Sequence, residues 1–310
     1  RRSTTDQNRG WRHTDYFMTT APGKLFVIGE YAVVYGGNAV LVPVPHLARA
    51  TVIEDGLNQL TIRTKTTRRT PLLEALANEP LLNAVVETLD CANELQSLSI
   101  SLDTSEFYST RQKLGLGSSA ALTAALVKAL RPRLPRSEQL TLAISAHRQF
   151  QAGRGSGADV ALAVEAVPIR FRTGYPPLPY PLPEDLHMLA IWSGKPASTT
   201  AYLEQVEAWR TVNPDRFEYH IGRLSDCTAD FLTATDTTSR ISKIQLYARY
   251  LSDFSEDSSI KFYNATHLAL QKEVESARCV YKPSGAGGGD FGIAFSANKN
   301  TLIHLAERIV

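Results

Sequence analysis

Cysteine is scarce in this chain: Cys91, Cys227 and Cys279 are far apart and odd in number. That excludes a disulfide framework, and with no metal-ligand spacing among them it excludes a zinc module; a reducing, cytoplasmic setting fits. An excess of charge of either sign is also missing. The net charge is +2, the basic residues are dispersed, and the doublets Arg1-Arg2 and Arg68-Arg69 read as solvated surface, so no nucleic-acid partner is expected. Long apolar runs are absent. The longest, Ala39 to Ile53, is broken by Pro43, Pro45, His46 and Arg49, so no membrane segment is expected. The first residues, Arg1 to Phe17, are polar and lack the apolar core of a signal peptide; they are expected to be a tag or extension ahead of a natural start at Met18. No internal repeat is visible. What remains is a 310-residue chain, 43% hydrophobic and 21% charged, the composition of one large globular domain or two medium ones.

Periodicity then sets a coarse layout. Lys24 to Ile28 reads as a buried strand. Tyr31–Tyr35 and Ala39–Val44 read as two β-rich runs around a hairpin signal, Gly36-Gly37-Asn38. Ala48–Ile53 and Gln59–Thr66 extend the strand-rich region, Glu79–Glu94 reads as a helix, and Leu98–Leu102 as a strand. A helix runs from Ala120 to Leu130, and Ser137 is the expected cap of another that Gly153 ends. Asp159–Ala166 is a short helix and Ile169–Arg172 a strand. Five prolines between Pro176 and Pro183 leave room for no regular element, which places a domain boundary there, between 18–175 and 184–310. Beyond it, Leu186–Trp192 reads as a strand, Thr199 to about Arg278 as three or four helices, Phe291–Ser296 as a strand and Thr301–Val310 as a helix. The class is α+β.

Three glycine-rich segments carry the chemistry. The most informative is Lys113-Leu114-Gly115-Leu116-Gly117-Ser118-Ser119-Ala120-Ala121, a glycine turn with two hydroxyls at the head of an alanine-rich helix. Glycine lets backbone approach a ligand, serine can cap the helix, and the first helical turn offers unpaired N–H groups and partial positive charge. By itself it reads equally as a phosphate cradle or as a capped core helix. It does not have the spacing of a P-loop. Gly115-x-Gly117-x-x-Ala120 imitates a dinucleotide fingerprint, but the residues before it are polar and no acidic residue ends a second strand beyond it. The second segment is Ala21-Pro22-Gly23-Lys24, where a lysine enters an otherwise apolar strand; if its head is buried, Asp159 is a candidate partner. The third, Lys282-Pro283-Ser284-Gly285-Ala286-Gly287-Gly288-Gly289-Asp290, is dense enough in glycine to imply close backbone packing. Asp159, behind Gly155-Ser156-Gly157, reads alone as a helix N-terminal acid or as a carboxylate of a phosphoryl-transfer site. Lys195 lies in a loop whose Ser198 and Thr199 can cap the next helix.

Taken in order, these segments resemble the three signatures of the GHMP kinase superfamily, with a Gly-Ser-Gly-x-Asp between the second and third. Within it the chain is most similar to the phosphomevalonate kinases: Tyr31 follows Gly29-Glu30 where mevalonate kinases usually carry His, and Trp192-Ser193-Gly194 with Pro196-Ala197-Ser198 follows the same style. The resemblance implies an N-terminal ribosomal-protein-S5-like domain, a C-terminal ferredoxin-like domain, ATP and Mg²⁺ as cofactors, and phosphorylated mevalonate as the small-molecule substrate. It allows a homodimer. Lys24 and Asp159 match the catalytic pair. Lys113, Gly115, Gly117, Ser118, Ser119 and Ala120 would hold ATP, with Ser119 the candidate metal ligand. Lys24, Tyr31, Arg148, Arg154, Ser156, Lys195, Ser198, Ser284, Gly285, Ala286 and Gly287 would face the acceptor. Two departures stand out. Arg148 occupies the position where mevalonate kinases place a metal-binding Glu, and the chain stops where relatives usually add a last strand, which suggests a truncated C-terminus. The rival expectations are a mevalonate kinase or other small-metabolite GHMP kinase, and a non-catalytic ligand-binding relative.

Overall fold

The computed structural model describes residues 16–109 and 112–309. Of the expected extension, only Tyr16 and Phe17 fall among them; the rest of it, and Val310 at the end of the expected C-terminal helix, lie outside the described residues. The elements in order are β1 (Tyr16–Ile28), a 3-10 turn (Ala32–Tyr35), β2 (Asn38–Glu54), β3 (Gln59–Arg63), β4 (Thr67–Pro71), α1 (Leu72–Ala75), α2 (Pro80–Thr88), β5 (Leu98–Asp103), α3 (Ser118–Leu130), α4 (Arg136–Phe150), α5 (Ala158–Glu165), β6 (Ile169–Arg172), β7 (Leu178–Pro179) and β8 (His187–Trp192). They continue as α6 (Thr199–Val212), α7 (Pro214–Thr233), α8 (Thr237–Ser258), α9 (Ala265–Ser276), β9 (Val280–Pro283), β10 (Phe291–Ser296) and α10 (Lys299–Ile309).

The chain forms two compact units. Among the described residues, the first takes those up to Gly23, 45–109 and Gly117–Ala166; the second takes Lys24–Val44, Gln112–Leu116 and those from Val167 onward. The proline-rich stretch in which the sequence places a boundary therefore lies inside the second unit, because β7 pairs back onto β6 there.

In the first unit, β5 lies antiparallel to the second half of β2 and parallel to β3, which forms a hairpin with β4. The inward residues of β5, Leu98, Ile100 and Leu102, alternate with half-buried Ser and Asp, the pattern of a strand with one face on a core. Helices α2, α3, α4 and α5 pack on one another. Helix α3 is built of Ala, Leu, Val and Thr with hardly a polar stripe, and ten of its residues are buried, as expected of a helix covered all round. Thr19 of β1 ties to it by donating to the Ala125 carbonyl at 2.6 Å.

In the second unit, β6 pairs antiparallel with the start of β2, and β8-β10-β9 form a separate antiparallel sheet. Helices α9 and α10 cover that sheet through a core of Ile191, Val274, Cys279, Tyr281, Ala294, Leu302 and Leu305. Helix α7 packs lengthwise on α8, burying Phe217, Ile221, Leu224 and Phe231.

Three local expectations are corrected. The hairpin around Gly36-Gly37-Asn38 does not form: Ala32–Tyr35 is a 3-10 turn closed by Gly36 in the left-handed region (φ 89), and β2 then runs unbroken through Ala39–Ile53. The β-branched and aromatic content of Tyr31–Tyr35 reflects burial of Tyr31, Ala32 and Val33, not strand pairing. Ser137 does not cap α4; Pro135 stands at the N-cap with no side-chain bond. The helix expected over Glu79–Glu94 breaks after Thr88, with a 3-10 turn at Ala92–Ser97. All three cysteines are free and buried.

Candidate active site

The first unit holds the start of α3. Gly117 is its N-cap, at φ 80, with no side-chain bond to the helix. The expectation that Ser118 or Ser119 caps the helix is thus corrected: both lie inside its first turn, and the N-cap is Gly117, which has no side chain to offer. A helix start of this kind leaves donors aimed outward with the positive end of the dipole behind them. It fits the phosphates of a nucleotide.

Ser119 has a second partner that the sequence does not reveal. Its hydroxyl lies 3.1 Å from Nε2 of His147, a buried residue of α4. In the tautomer with the proton on Nδ1, Nε2 accepts the hydroxyl proton, and the serine oxygen keeps its lone pairs for a cation. That suits a magnesium ion held mostly by phosphates, which needs few protein ligands. Among the described residues no group of three or more His, Cys, Asp or Glu could hold a metal by itself.

The other predicted residues of this unit gather around α5. Its N-cap is Gly157 at φ 87, again without a side-chain cap, and Asp159 sits in the first turn. A Cβ at Gly157 would press on Ile144 at 3.1 Å, so the turn lies flat on α4. Arg148 donates from Nη2 to the Ser156 carbonyl at 3.2 Å, and the Ser156 hydroxyl accepts from the Ala158 N–H at 3.2 Å. Arg148 therefore braces the Gly155–Gly157 turn. Arg154 is exposed.

The second unit holds Lys24, Lys113, Gly115 and the third glycine segment. Lys24 is buried at the point where β1 turns apolar, and its N–H donates to the Leu116 carbonyl at 2.9 Å. Its ammonium lies 4.9 Å from the centre of the Phe26 ring, and a Cβ added at Gly285 would come within 3.4 Å of it. Tyr31, fully buried, donates to the Ala286 carbonyl at 2.5 Å, and desolvation holds its phenol well above its ordinary pKa, so it stays a donor. Ser284 uses its hydroxyl on both sides of Phe26, accepting from the N–H at 2.8 Å and donating to the carbonyl at 3.1 Å. Tyr31 and Ser284 thus brace the glycine loop through backbone bonds, at the Ala286 carbonyl and at the residue ahead of Gly285.

Two charged residues absent from the sequence-predicted site dominate this region. Lys282 is fully buried and pairs with Glu30, itself 2% exposed; Lys282 also donates to the Pro283 carbonyl at 2.8 Å. Burial lowers the Lys282 pKa, the Glu30 carboxylate opposes that, and the charge of Lys24 adds to it. The second is Asp290. Its N–H donates to the Lys195 carbonyl at 2.7 Å, its carbonyl accepts from Ser193 N at 2.8 Å, and its carboxylate accepts from Ala197 N at 3.0 Å. The carboxyl presses on Gly115, where an added Cβ would fall 2.0 Å from Cγ. Burial raises the Asp290 pKa, with the Ala197 N–H, Lys24 and Lys113 acting against it. One aspartate therefore brings together the lysine turn at 193–197, Gly115 and two cations. Lys195 and Lys113 both have exposed side chains, and Ser198 caps α6 by accepting from Ala201 N at 3.3 Å, as its position predicts. Asp290, Lys282 and Glu30 all stand in the glycine-rich motifs, but no local pattern pairs them: Glu30 and Lys282 are 252 positions apart.

Residues 81–166 match the family described as GHMP kinases N terminal domain. Phosphomevalonate kinase of Streptomyces sp. strain CL190 is 29% identical, covering 93% of this chain and 92% of its own. Phosphomevalonate kinase of Saccharolobus solfataricus is also 29% identical, with 91% of each chain covered. Among solved structures, that of Streptococcus pneumoniae phosphomevalonate kinase in complex with phosphomevalonate and AMPPNP superposes with a TM-score of 0.79 at 18% identity, over 94% of this chain and 96% of the other. The expectation drawn from the glycine segments holds for the fold: the chain has the fold of the GHMP kinases, residues 81–166 match that family's N-terminal domain, and the chain is similar over nine-tenths of its length to phosphomevalonate kinases.

Proposed function

We propose that this chain transfers the γ-phosphoryl group of ATP to the phosphate of 5-phosphomevalonate, giving 5-diphosphomevalonate and ADP. An oxygen of the acceptor phosphate bonds to the γ-phosphorus as the bridge to the β-phosphate breaks, and ADP carries the leaving electron pair. The observation that carries phosphoryl transfer is the start of α3 at Gly117, a helix N-terminus whose N-cap makes no side-chain bond to the first turn. The acceptor is supported by the likeness to phosphomevalonate kinases over most of the chain.

Phosphoryl transfer is mainly positioning and charge neutralisation. In this reading the first-turn N–H groups of α3 hold ATP phosphates, Lys113 and Gly115 flank them, and the Ser119 oxygen is offered to magnesium, which when bound neutralises charge across the phosphates. Lys24, kept in place by burial, meets the charge that develops on the transferring group. Arg148, Arg154, Lys195, Ser156 and Ser198 serve the anionic ends of the acceptor, and the backbone of Gly285–Gly287 shapes its seat. The enzyme so read is cytoplasmic, acts on a small molecule, and uses neither nucleic acid nor membrane; among the described residues no helix is long and apolar enough to cross one.

A phosphate monoester has its second pKa near ~6, so at neutral pH the attacking oxygen is already largely anionic. Asp159 is then needed to orient the acceptor more than to take a proton. Asp159→Asn is expected to lower kcat by less than about a hundredfold, the low end of what a general base contributes. A loss of about 10⁴, measured under saturating ATP and acceptor, would show that a proton is being abstracted. The function itself is tested by ADP release with mevalonate, phosphomevalonate, homoserine and galactose. Turnover is expected with phosphomevalonate alone. Preference for mevalonate would make the chain an alcohol kinase, and ATP binding with no turnover on any acceptor would make it a ligand-binding relative.

A further inference from the structure

The carbonyls of Gly288 and Gly289 are both taken by the first turn of α9. Asn264 donates from Nδ2 to the Gly288 carbonyl at 2.6 Å, and His267 Nε2 lies 2.9 Å from the Gly289 carbonyl. A carbonyl can only accept, so Nε2 carries the proton and Nδ1 must accept in turn. The Tyr281 hydroxyl, 2.8 Å from Nδ1, supplies that proton. His267 and Tyr281 are 0% and 1% exposed. An imidazole in such surroundings is costly unless both nitrogens are paired; a leucine would fill the space without that requirement. Asn264 has a double part: its Oδ1 also caps α9 by accepting from His267 N at 2.9 Å.

The loop has no slack against this turn. Gly288 N donates to the Phe262 carbonyl at 2.7 Å. A Cβ on Gly287 would lie 2.7 Å from that carbonyl oxygen, and one on Gly288 would fall 1.6 Å from the Tyr202 hydroxyl. Gly285, Gly287 and Gly288 all have positive φ, at 95, 74 and 70. At its other end the loop is tied by Tyr31 to Ala286. Gly285 to Gly287 is thus held from two sides, by Tyr31 at Ala286 and by the α9 turn at Gly288 and Gly289, with Gly287 alone between the two anchorages.

We propose that Asn264 and His267 are positioning residues for the acceptor site: by fixing the Gly288 and Gly289 carbonyls they set the direction in which the Gly285–Gly287 backbone faces the acceptor's anionic end. This rests on the proposed function for the identity of the acceptor, not for the clamp. Burial lowers the His267 pKa, with the Gly289 carbonyl opposing and the charge of Lys282 adding to the effect, so the neutral, doubly bonded ring is the form present.

The test compares Asn264→Ser, His267→Leu and His267→Gln with the wild type. Ser at 264 still caps α9 but cannot reach Gly288. Gln at 267 places an amide N–H near the Nε2 position and keeps the Gly289 bond. Asn264→Ser and His267→Leu are expected to raise the KM for the acceptor roughly tenfold, the effect of one buried hydrogen bond left unmade, with the KM for ATP unchanged; His267→Gln should recover most of the loss. Hydrogen exchange of segment 284–291, which needs no turnover, should quicken by a similar factor in the first two variants and not in the third. A fall in melting temperature with acceptor KM and loop exchange unchanged would overturn the proposal, leaving a purely packing role. If the wild type turns over none of the acceptors, the proposed function fails, and the exchange rates alone decide the clamp. Should His267→Leu not fold, Asn264→Ser carries the same two readouts.

Discussion

Lys282→Met should melt on the order of 10 °C below the wild type. Methionine is close in length to lysine and would fill the same space, so the loss is electrostatic. Glu30, 2% exposed, would keep a carboxylate with no cation, and its Oε2 already lacks a hydrogen-bond partner. Removing one member of a buried ion pair costs about 3–5 kcal/mol, because the survivor's desolvation is no longer offset; in a chain of this size each kcal/mol moves Tm by roughly 2–4 °C. The double variant Glu30→Gln/Lys282→Met, which also removes the charge of the survivor, should melt above the single one, since a neutral amide is far less costly to bury. Scanning calorimetry of the three proteins decides the matter. A single variant within 2 °C of the wild type, on the same ~2–4 °C scale, would mean that Glu30 takes up a proton and the pair contributes little. The consequence for function is local. Glu30 Oε1 also lies 3.5 Å from Gly285 N, so the pair is fastened to the glycine loop on the side of Lys24.

Gly115→Ala should cost activity out of proportion to one added methyl group. Two effects add. The residue has φ +72, where a Cβ costs about 1–2 kcal/mol. The new methyl would also fall 2.0–2.3 Å from the Asp290 carboxyl atoms, so either the phosphate loop or Asp290 must move. Moving Asp290 breaks its bond from Ala197 N and disturbs the backbone pairs with Ser193 and Lys195. The expected result is a fall in kcat/KM for ATP of roughly 10²–10³, the factor that about 3–4 kcal/mol represents. Gly115→Ala/Asp290→Ala removes the collision but not the strained φ, and should regain part of the loss. An ATP KM within twofold of wild type in the single variant, with kcat unchanged, would show that the loop shifts freely and that its seat on Asp290 is incidental. Asp290→Ala measured alone separates the carboxylate's own contribution.

How far the sequence could be read followed the distance over which each interaction acts. The glycine turn, helix α3 and the cap of α6 at Ser198 are local, and density of glycine or a hydroxyl ahead of an apolar run identifies them. The α+β class followed from periodicity, and the four helices between Thr199 and Ser276 were legible because each is long enough to repeat its pattern. The errors fell where tertiary structure overrides propensity. Tyr31–Tyr35 has the composition of a strand, yet the burial of Tyr31 against Phe254 and Phe262 and its bond to Ala286 hold a 3-10 turn instead. Strand β4, Thr-Arg-Arg-Thr-Pro, is too polar to be seen, and β9, Val-Tyr-Lys-Pro, too short and too mixed; both exist because a partner strand supplies the ladder. Within the site, residue types were legible and their pairings were not. His147 acts on Ser119 from 28 positions away and Asn264 on Gly288 from 24. No spacing rule covers such distances.

The second unit is assembled from chain made early and chain made late, and that bears on how the protein can be synthesised. Phe26 waits for Ser284, 258 residues further on, and Glu30 for Lys282. Contacts of such separation are slow to form because loop closure precedes their reward. A nascent chain leaving the ribosome N-terminus first must carry the apolar run Leu25–Ile28 and an unpaired Glu30 until β9 and β10 have emerged. Until then partly made chains expose surface that favours aggregation or chaperone capture. Lys24 is synthesised more than 250 residues ahead of the glycine loop that lies beside its ammonium.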